Sequence, residues 1–373
     1  MQMIRRRFLS ITALPLLAAG LPTGAWSKAE ASQGGTESGS VTEGLWRDAA
    51  RQRDVPWRLR MPGTAAGSTG RSAVGASLGS SHPASSGASA GATGSATRSA
   101  SSNPALVPLI IFSHGLGGSL ESGTEWARAW ADAGMATLHI QHPGSDRAIW
   151  SGGLRAVKAA ATVEQLVARC RDVRFAVAQL LQLQQSGAPG WARIRPDALG
   201  MSGHSFGAHT TLAVAGRAFP ARLGDELAEP RFKAFAAFSP AAGTHPDGLR
   251  TITRPMLCMT GSLDGDPLGE ERSGEYRRAV YDHLPAGAKA QLWLEGADHK
   301  TFGGSGDPGA GRAQRLMGRG RPAEAQTLAD HHSAVIKSVT TDWWRAWLLE
   351  DVAAAERLKK PQGLARGDSW QQG

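Results

Sequence analysis

Cysteine is scarce: only Cys170 and Cys258 occur in 373 residues, far apart in the chain. Cys170 falls on a helical pattern and Cys258 inside an apolar strand pattern, so both are expected as small buried apolar residues rather than a disulfide. Zinc-type ligand spacing is missing as well. His331-His332 and His139-x-x-His142 are pairs without further ligands, so no metal is expected. The formal net charge is +9, yet no nucleic-acid module accompanies it, and a solvated basic surface is the expected reading. The apolar run at residues 11–21 is shorter than the roughly 20 residues a membrane span needs. What remains, 41% hydrophobic and 20% charged, suffices for one large domain with a sizeable core.

The first 27 residues have the composition of a targeting segment. Arg5-Arg6-Arg7-Phe8-Leu9 resembles a twin-arginine export signal, followed by the short apolar run and small residues near Ala25–Ala29 that suit cleavage. No cysteine follows, which argues against a lipid anchor. The expected partner is the twin-arginine export machinery, the expected location the bacterial periplasm or beyond, with no stable membrane anchor. Loss of the three arginines lowers the mature charge to about +6. Residues 28–45 are expected to be a disordered mature N-terminus, and 351–373 a C-terminal tail.

Residues 63–103 are rich in Gly, Ala, Ser and Thr, with no aromatic and no acid. Such a stretch buries too little apolar area to offset its ordering entropy, so it is expected to be disordered. Its flanks both look like strands, an edge strand at 55–62 and a buried one at 105–112. The stretch is therefore an overgrown loop within one domain, 46–350, since closure entropy grows only logarithmically with length. Beyond it, helices expected at 121–133, 163–184, 206–217, 275–284 and 333–349 alternate with strands at 135–140, 198–202, 232–238, 256–260 and 290–294. Leu166, Cys170, Val173, Val177 and Leu180 form one apolar stripe on the second helix. The alternation predicts an α/β fold with a mostly parallel sheet and helices on both faces. Trp126 and Trp130, four apart, are expected in the core.

Gly-x-Ser-x-Gly occurs three times, but the copies around Ser77 and Ser89 lie in low-complexity sequence. Only Ser205, in Gly203-His204-Ser205-Phe206-Gly207, follows an apolar run and precedes a helix-forming stretch. That is the setting of a nucleophile elbow, where flanking glycines let strand and helix crowd while the hydroxyl points out. A serine hydroxyl needs a base, and the base an orienting acid. Leu257-Cys258-Met259-Thr260-Gly261-Ser262-Leu263-Asp264 ends a strand in a turn carrying Asp264, the expected acid, with Asp266 as its rival. The last strand runs into Gly296-Ala297-Asp298-His299, which makes His299 the expected base. Asp298 is adjacent to it, and neighbouring side chains usually diverge. The oxyanion is expected to meet the backbone N–H groups of Phe206 and of Leu116, the latter in the turn Ser113-His114-Gly115-Leu116-Gly117-Gly118. No Lys-Ser/Thr follows those glycines, which disfavours a phosphate loop. Pocket candidates are His114, Gly115, His204, His142 and Phe302. The segment His142-Pro143-Gly144-Ser145-Asp146 either shapes the pocket or only makes a turn.

With four motifs in this order the chain resembles an alpha/beta-hydrolase over about residues 50–350. Phe-Ser-His-Gly-Leu-Gly at 112–117, His142–Asp146 and Gly-His-Ser-Phe-Gly at 203–207 resemble the bacterial group related to dienelactone hydrolases and platelet-activating-factor acetylhydrolases. The resemblance implies ester hydrolysis without metal or organic cofactor. Two positions depart from it: the elbow carries serine where dienelactone hydrolases have cysteine, and Phe238-Ser239-Pro240 has no acid where the plasma acetylhydrolase places one. The acid is expected one strand later, at Asp264. The expected substrate is a small or polymeric ester. Acyl transfer or peptide hydrolysis would use the same triad, and a binding protein could keep the fold. Only about fourteen residues separate Pro240 from Pro255, too few for an inserted lid domain. Residues 303–322, with Arg312, Arg315, Arg319 and Arg321, form either a basic flap or a solvated loop.

Overall fold

The computed structural model describes residues 39–63, 105–220, 227–267, 273–304 and 323–373. The expected export segment, nearly all of 63–103 and nearly all of 303–322 lie outside the described residues.

Among the described residues nine strands make one mixed sheet in the order β1-β2-β4-β3-β5-β6-β7-β8-β9. They are β1 Val41–Asp48, β2 Arg53–Arg60, β3 Val107–Ser113, β4 Ala136–Ile140, β5 Ile194–His204, β6 Phe232–Phe238, β7 Met256–Leu263, β8 Lys289–Asp298 and β9 Ser369–Gln372. The central six, from β4 to β8 in the sheet, are parallel. β2 joins β4, and β9 joins β8, antiparallel. The helices are α1 Thr124–Asp132, α2 Gly153–Ala159, α3 Val163–Gln185, α4 Phe206–Val214, α5 Ala279–His283, α6 Ala323–Leu348 and α7 Val352–Lys359. Among the described residues no helix is long and apolar enough to cross a membrane.

The two faces follow from the two-residue period of a strand. On β3, Leu109 and Ile111 belong to one core, Ile110 and Phe112 to the other. The first core takes the α3 stripe Leu166, Cys170, Val173, Val177 and Leu180, and Ala208 and Leu212 of α4. The second takes Trp126 and Trp130 of α1 and Trp343 and Trp344 of α6. Both cysteines are free and buried. Indole N–H groups find partners inside: Trp130 donates to Thr340 Oγ1 at 2.9 Å and Trp343 to the Phe235 carbonyl at 3.0 Å. Truncating such a tryptophan would cost about 3–5 kcal/mol.

Four expectations are corrected. Residues 41–45 are not disordered: they begin β1, whose Trp46 packs on Trp57 and Trp191 with ring centroids 5.1 and 5.6 Å apart. β1 is the edge, so the strand expected at 55–62 lies inside the sheet, paired on both sides. Residues 351–373 are not a tail. Asp351 caps α7 by accepting the Ala354 N–H at 3.1 Å, and Ser-Trp-Gln-Gln adds β9 to the sheet. Both ends are too polar to announce themselves by periodicity, and gain order from ladder hydrogen bonds to a neighbour already in place. The helix expected at 275–284 is a 3-10 turn, Glu275–Arg278, followed by the five residues of α5.

Candidate active site

The chain enters the parallel part of the sheet at β3, moves to one side for β4, then returns to the other side for β5. That reversal opens a crevice at the carboxyl ends of β3 and β5, where open α/β sheets bind ligands. Ser205 stands there, between β5 and α4, at φ 56° and ψ −115°. A non-glycine residue at positive φ is strained, and the surroundings must hold it. The Ser205 N–H donates to the Phe238 carbonyl at 3.0 Å. Gly207 is required by space: a Cβ there would lie 1.9 Å from the Ser113 carbonyl oxygen, and one on Gly203 2.4 Å from that of Gly207.

Three predicted residues, from loops after β5, β7 and β8, converge. His299 Nε2 lies 2.9 Å from Ser205 Oγ, and His299 Nδ1 lies 2.7 Å from Asp264 Oδ1. Asp264 is fully buried; its Oδ2 accepts the Thr260 hydroxyl at 2.9 Å. Burial by itself would raise its pKa, but the His299 hydrogen bond and the Arg277 charge outweigh that and hold the carboxyl below its ordinary value. Asp298 instead binds the Thr301 N–H and hydroxyl, each at 2.9 Å. Asp266 lines the neighbouring cavity.

Arg277 was not foreseen. Its buried guanidinium donates to the carbonyls of Asp264, Ser239 and Gly265 at 2.8, 2.8 and 2.9 Å, and its Nε lies 3.0 Å from Asp264 Oδ1. It sits in Glu-Tyr-Arg-Arg with no local signal to separate it from a surface arginine.

A cavity of about 510 Å³ opens beside Ser205, lined among others by Leu116, Phe206, His209, Ala242, Pro246 and Tyr276. This is the size of a small-molecule site. The β6–β7 connection holds only the 3-10 turn Pro246–Thr251 and contributes to that lining. The Phe206 N–H is at the first position of α4, where no intrahelical acceptor exists. The Leu116 loop packs on the elbow: a Cβ on Gly115 would lie 3.4 Å from that of Ser205.

Four of the pocket candidates are elsewhere. His114 is buried beneath the loop, its Nε2 accepting the His142 N–H at 3.0 Å and its Nδ1 2.6 Å from the Gly115 carbonyl. His142 is sealed too, with Nε2 2.9 Å from Ser113 Oγ and Nδ1 3.0 Å from Asp172 Oδ2. Burial and the Arg169 charge lower His142 to about 4. Phe302 turns into the core, where its carbonyl accepts the Trp126 indole at 3.2 Å. His204 stands behind His299: its Nε2 lies 2.9 Å from the His299 carbonyl, with ring centroids 4.7 Å apart. Burial and the neighbouring His299 lower His204 to about 3, so the ring is neutral and Nε2 donates. The three histidines find protein partners and Phe302 an apolar core, which sequence position alone does not disclose.

Among the described residues, no three His, Cys, Asp or Glu side chains gather as ligands for a metal ion. No protein-family model matches the chain, and no curated protein matches it significantly.

Proposed function

We propose that this chain is an exported serine hydrolase with an alpha/beta-hydrolase fold that cleaves carboxylic esters. The observation that carries the reading is the unbroken relay from Ser205 Oγ through His299 to Asp264, at 2.9 and 2.7 Å. Its geometry suits proton transfer from hydroxyl to imidazole and stabilisation of the imidazolium by a buried carboxylate. Export rests on Arg5-Arg6-Arg7-Phe8-Leu9 and the apolar run after it.

The mechanism follows. Ser205 Oγ attacks the ester carbonyl while His299 Nε2 takes its proton. Asp264 keeps the other nitrogen, Nδ1, protonated and the ring in line. Charge on the carbonyl oxygen is met by the N–H groups of Phe206 and Leu116, which flank Ser205 in the cavity lining. His299 then protonates the departing alkoxide, leaving an acyl-enzyme. Water, deprotonated by His299, attacks the acyl carbon, and Ser205 leaves with the proton returned. The largely apolar cavity suits the acyl chain.

The test is Ser205→Ala. Hydrolysis of p-nitrophenyl acetate and labelling by a fluorophosphonate are expected to vanish, with circular dichroism and Tm unchanged. Turnover persisting in the variant would refute the assignment. For export, the intact mass of the secreted protein should lack residues 5–7.

A further inference from the structure

Beneath the Leu116 loop lies a buried polar network that the mechanism does not use. Its centre is Arg169 on α3, whose side chain is fully buried. The helix pattern assigns the position no role, since a charged residue beside an apolar stripe normally faces water. Here the guanidinium faces inward and reaches both halves of the proposed oxyanion site. On the loop side it donates to the His114 carbonyl, two residues before Leu116, and to Ser113 Oγ at 3.0 Å. On the elbow side it donates to Thr210 Oγ1 at 2.9 Å and lies 4.7 Å from the centre of the Phe206 ring. The Thr210 hydroxyl passes the link on, donating to the Phe206 carbonyl at 3.1 Å. A third arm binds Ser145 Oγ at 2.9 Å, and the Ser145 carbonyl accepts the Gly117 N–H at 2.9 Å.

Ser113, His142 and Asp172 complete the network. They have the connectivity of a serine triad, but all three are fully sealed from solvent, so Ser113 has no route to a substrate. Asp172 balances the buried cations and is itself held by Arg51 and Arg53, each at 2.8 Å. His142 hands the Ser113 hydroxyl to Arg169 as an acceptor. Ser113, Ser145 and Thr210 each accept from Arg169, and His142 and Asp172 extend the network from Ser113.

We propose that Arg169 is a positioning residue for the oxyanion site, setting the separation of the Leu116 and Phe206 N–H groups. A planar guanidinium with donors in a rigid fork is suited to the task, because each arm fixes a direction as well as a distance. An oxyanion site depends on donor placement at the level of tenths of an ångström, so slackening the clamp would weaken transition-state binding more than substrate binding. The proposal rests on the ester-hydrolase reading.

The experiment compares wild type with Arg169→Lys, Arg169→Met and Thr210→Val on p-nitrophenyl acetate, alongside inhibition by phenylboronic acid, whose Ser205 adduct places an oxygen where the oxyanion forms. In the Arg169 variants kcat is expected to fall about 30- to 300-fold with KM within about threefold. The boronate inhibition constant should rise in step with the fall in kcat. Thr210→Val, which keeps the charge and cuts one link, should show the same coupled pattern at about 3- to 10-fold. A merely structural arginine would lower Tm and leave boronate affinity per folded molecule unchanged, and that result overturns the proposal. If the Arg169 variants do not fold, Thr210→Val and Ser113→Ala decide: coupled losses support the clamp, and wild-type constants in both overturn it. A wild-type protein inert to ester and fluorophosphonate alike would overturn the hydrolase reading and the clamp with it. An active wild type with indifferent variants overturns the clamp alone.

Discussion

Arg277 Nε donates to the Asp264 carbonyl at 2.8 Å and lies 3.0 Å from Oδ1 of the same residue. One guanidinium thus grips both the backbone and the side chain of Asp264, which is positioned from α5's entry turn rather than from its own strand alone. Arg277→Met is expected to lower kcat about 10- to 100-fold and stability by about 3–5 kcal/mol, because it strands a buried carboxylate. The Arg277 charge helps to hold the Asp264 pKa down, so its loss should also move the acid limb of kcat/KM to higher pH. A pH–rate profile of the variant that overlays the wild type after scaling would sink this account.

The choice among three nearby acids is testable directly. Asp264→Asn is expected to cut kcat about 10⁴-fold, since an amide favours the wrong imidazole tautomer. Asp298→Asn should stay within a few-fold, because that side chain binds Thr301 and not His299. Stopped-assay turnover of both variants decides, and equal losses would reopen the assignment.

Acid stability should be set by histidines before carboxylates. Burial, the largest cause for each, together with neighbouring positive charge lowers His139 and His204 to about 3 and His142 and His209 to about 4. Unfolded, each would titrate near 6.5. Between pH 6.5 and 4 the unfolded chain therefore binds protons that the folded chain refuses, and stability falls as pH falls. At pH 5 each contributes at most about 2 kcal/mol of loss. Tm is expected to drop steeply from pH 6.5 to 4.5, and His139→Leu to make that slope shallower. A Tm that stays level down to pH 4 would contradict this.

Gly207→Ala should be among the most damaging small substitutions in the molecule. The new methyl would sit 1.9 Å from the Ser113 carbonyl oxygen, and backbone on both sides leaves it nowhere to move. The expected cost is about 3 kcal/mol or more. Thermal unfolding of the variant within about 2 °C of wild type would show that the elbow and β3 are less tightly opposed than this.

Much of the sheet was legible because its central strands are short apolar runs, and β6 falls on the expected residues. The α3 stripe was legible for the same reason, since five apolar side chains at helical spacing have one place to go. The ends of the domain were not. β1 and β9 are polar strands that acquire their order from a partner strand, which no local window contains. At the site, Ser205, Asp264 and His299 were legible from glycine turns at strand ends. Arg169 and Arg277 were not, because a charged residue looks the same in sequence whether it is solvated or buried among carbonyls.

By itself the sequence determined which strands could be buried, where the chain could turn sharply enough to expose a serine, and the order in which the acid and base follow it. These are local matters of side-chain periodicity and backbone freedom. Only the tertiary structure decided that Asp298 turns from His299 to Thr301, why His114, His142 and Phe302 turn away from the cavity, and that Arg169 and Arg277 are buried beside it. Those outcomes depend on which polar groups find partners once water is excluded, and the partners come from residues tens of positions away.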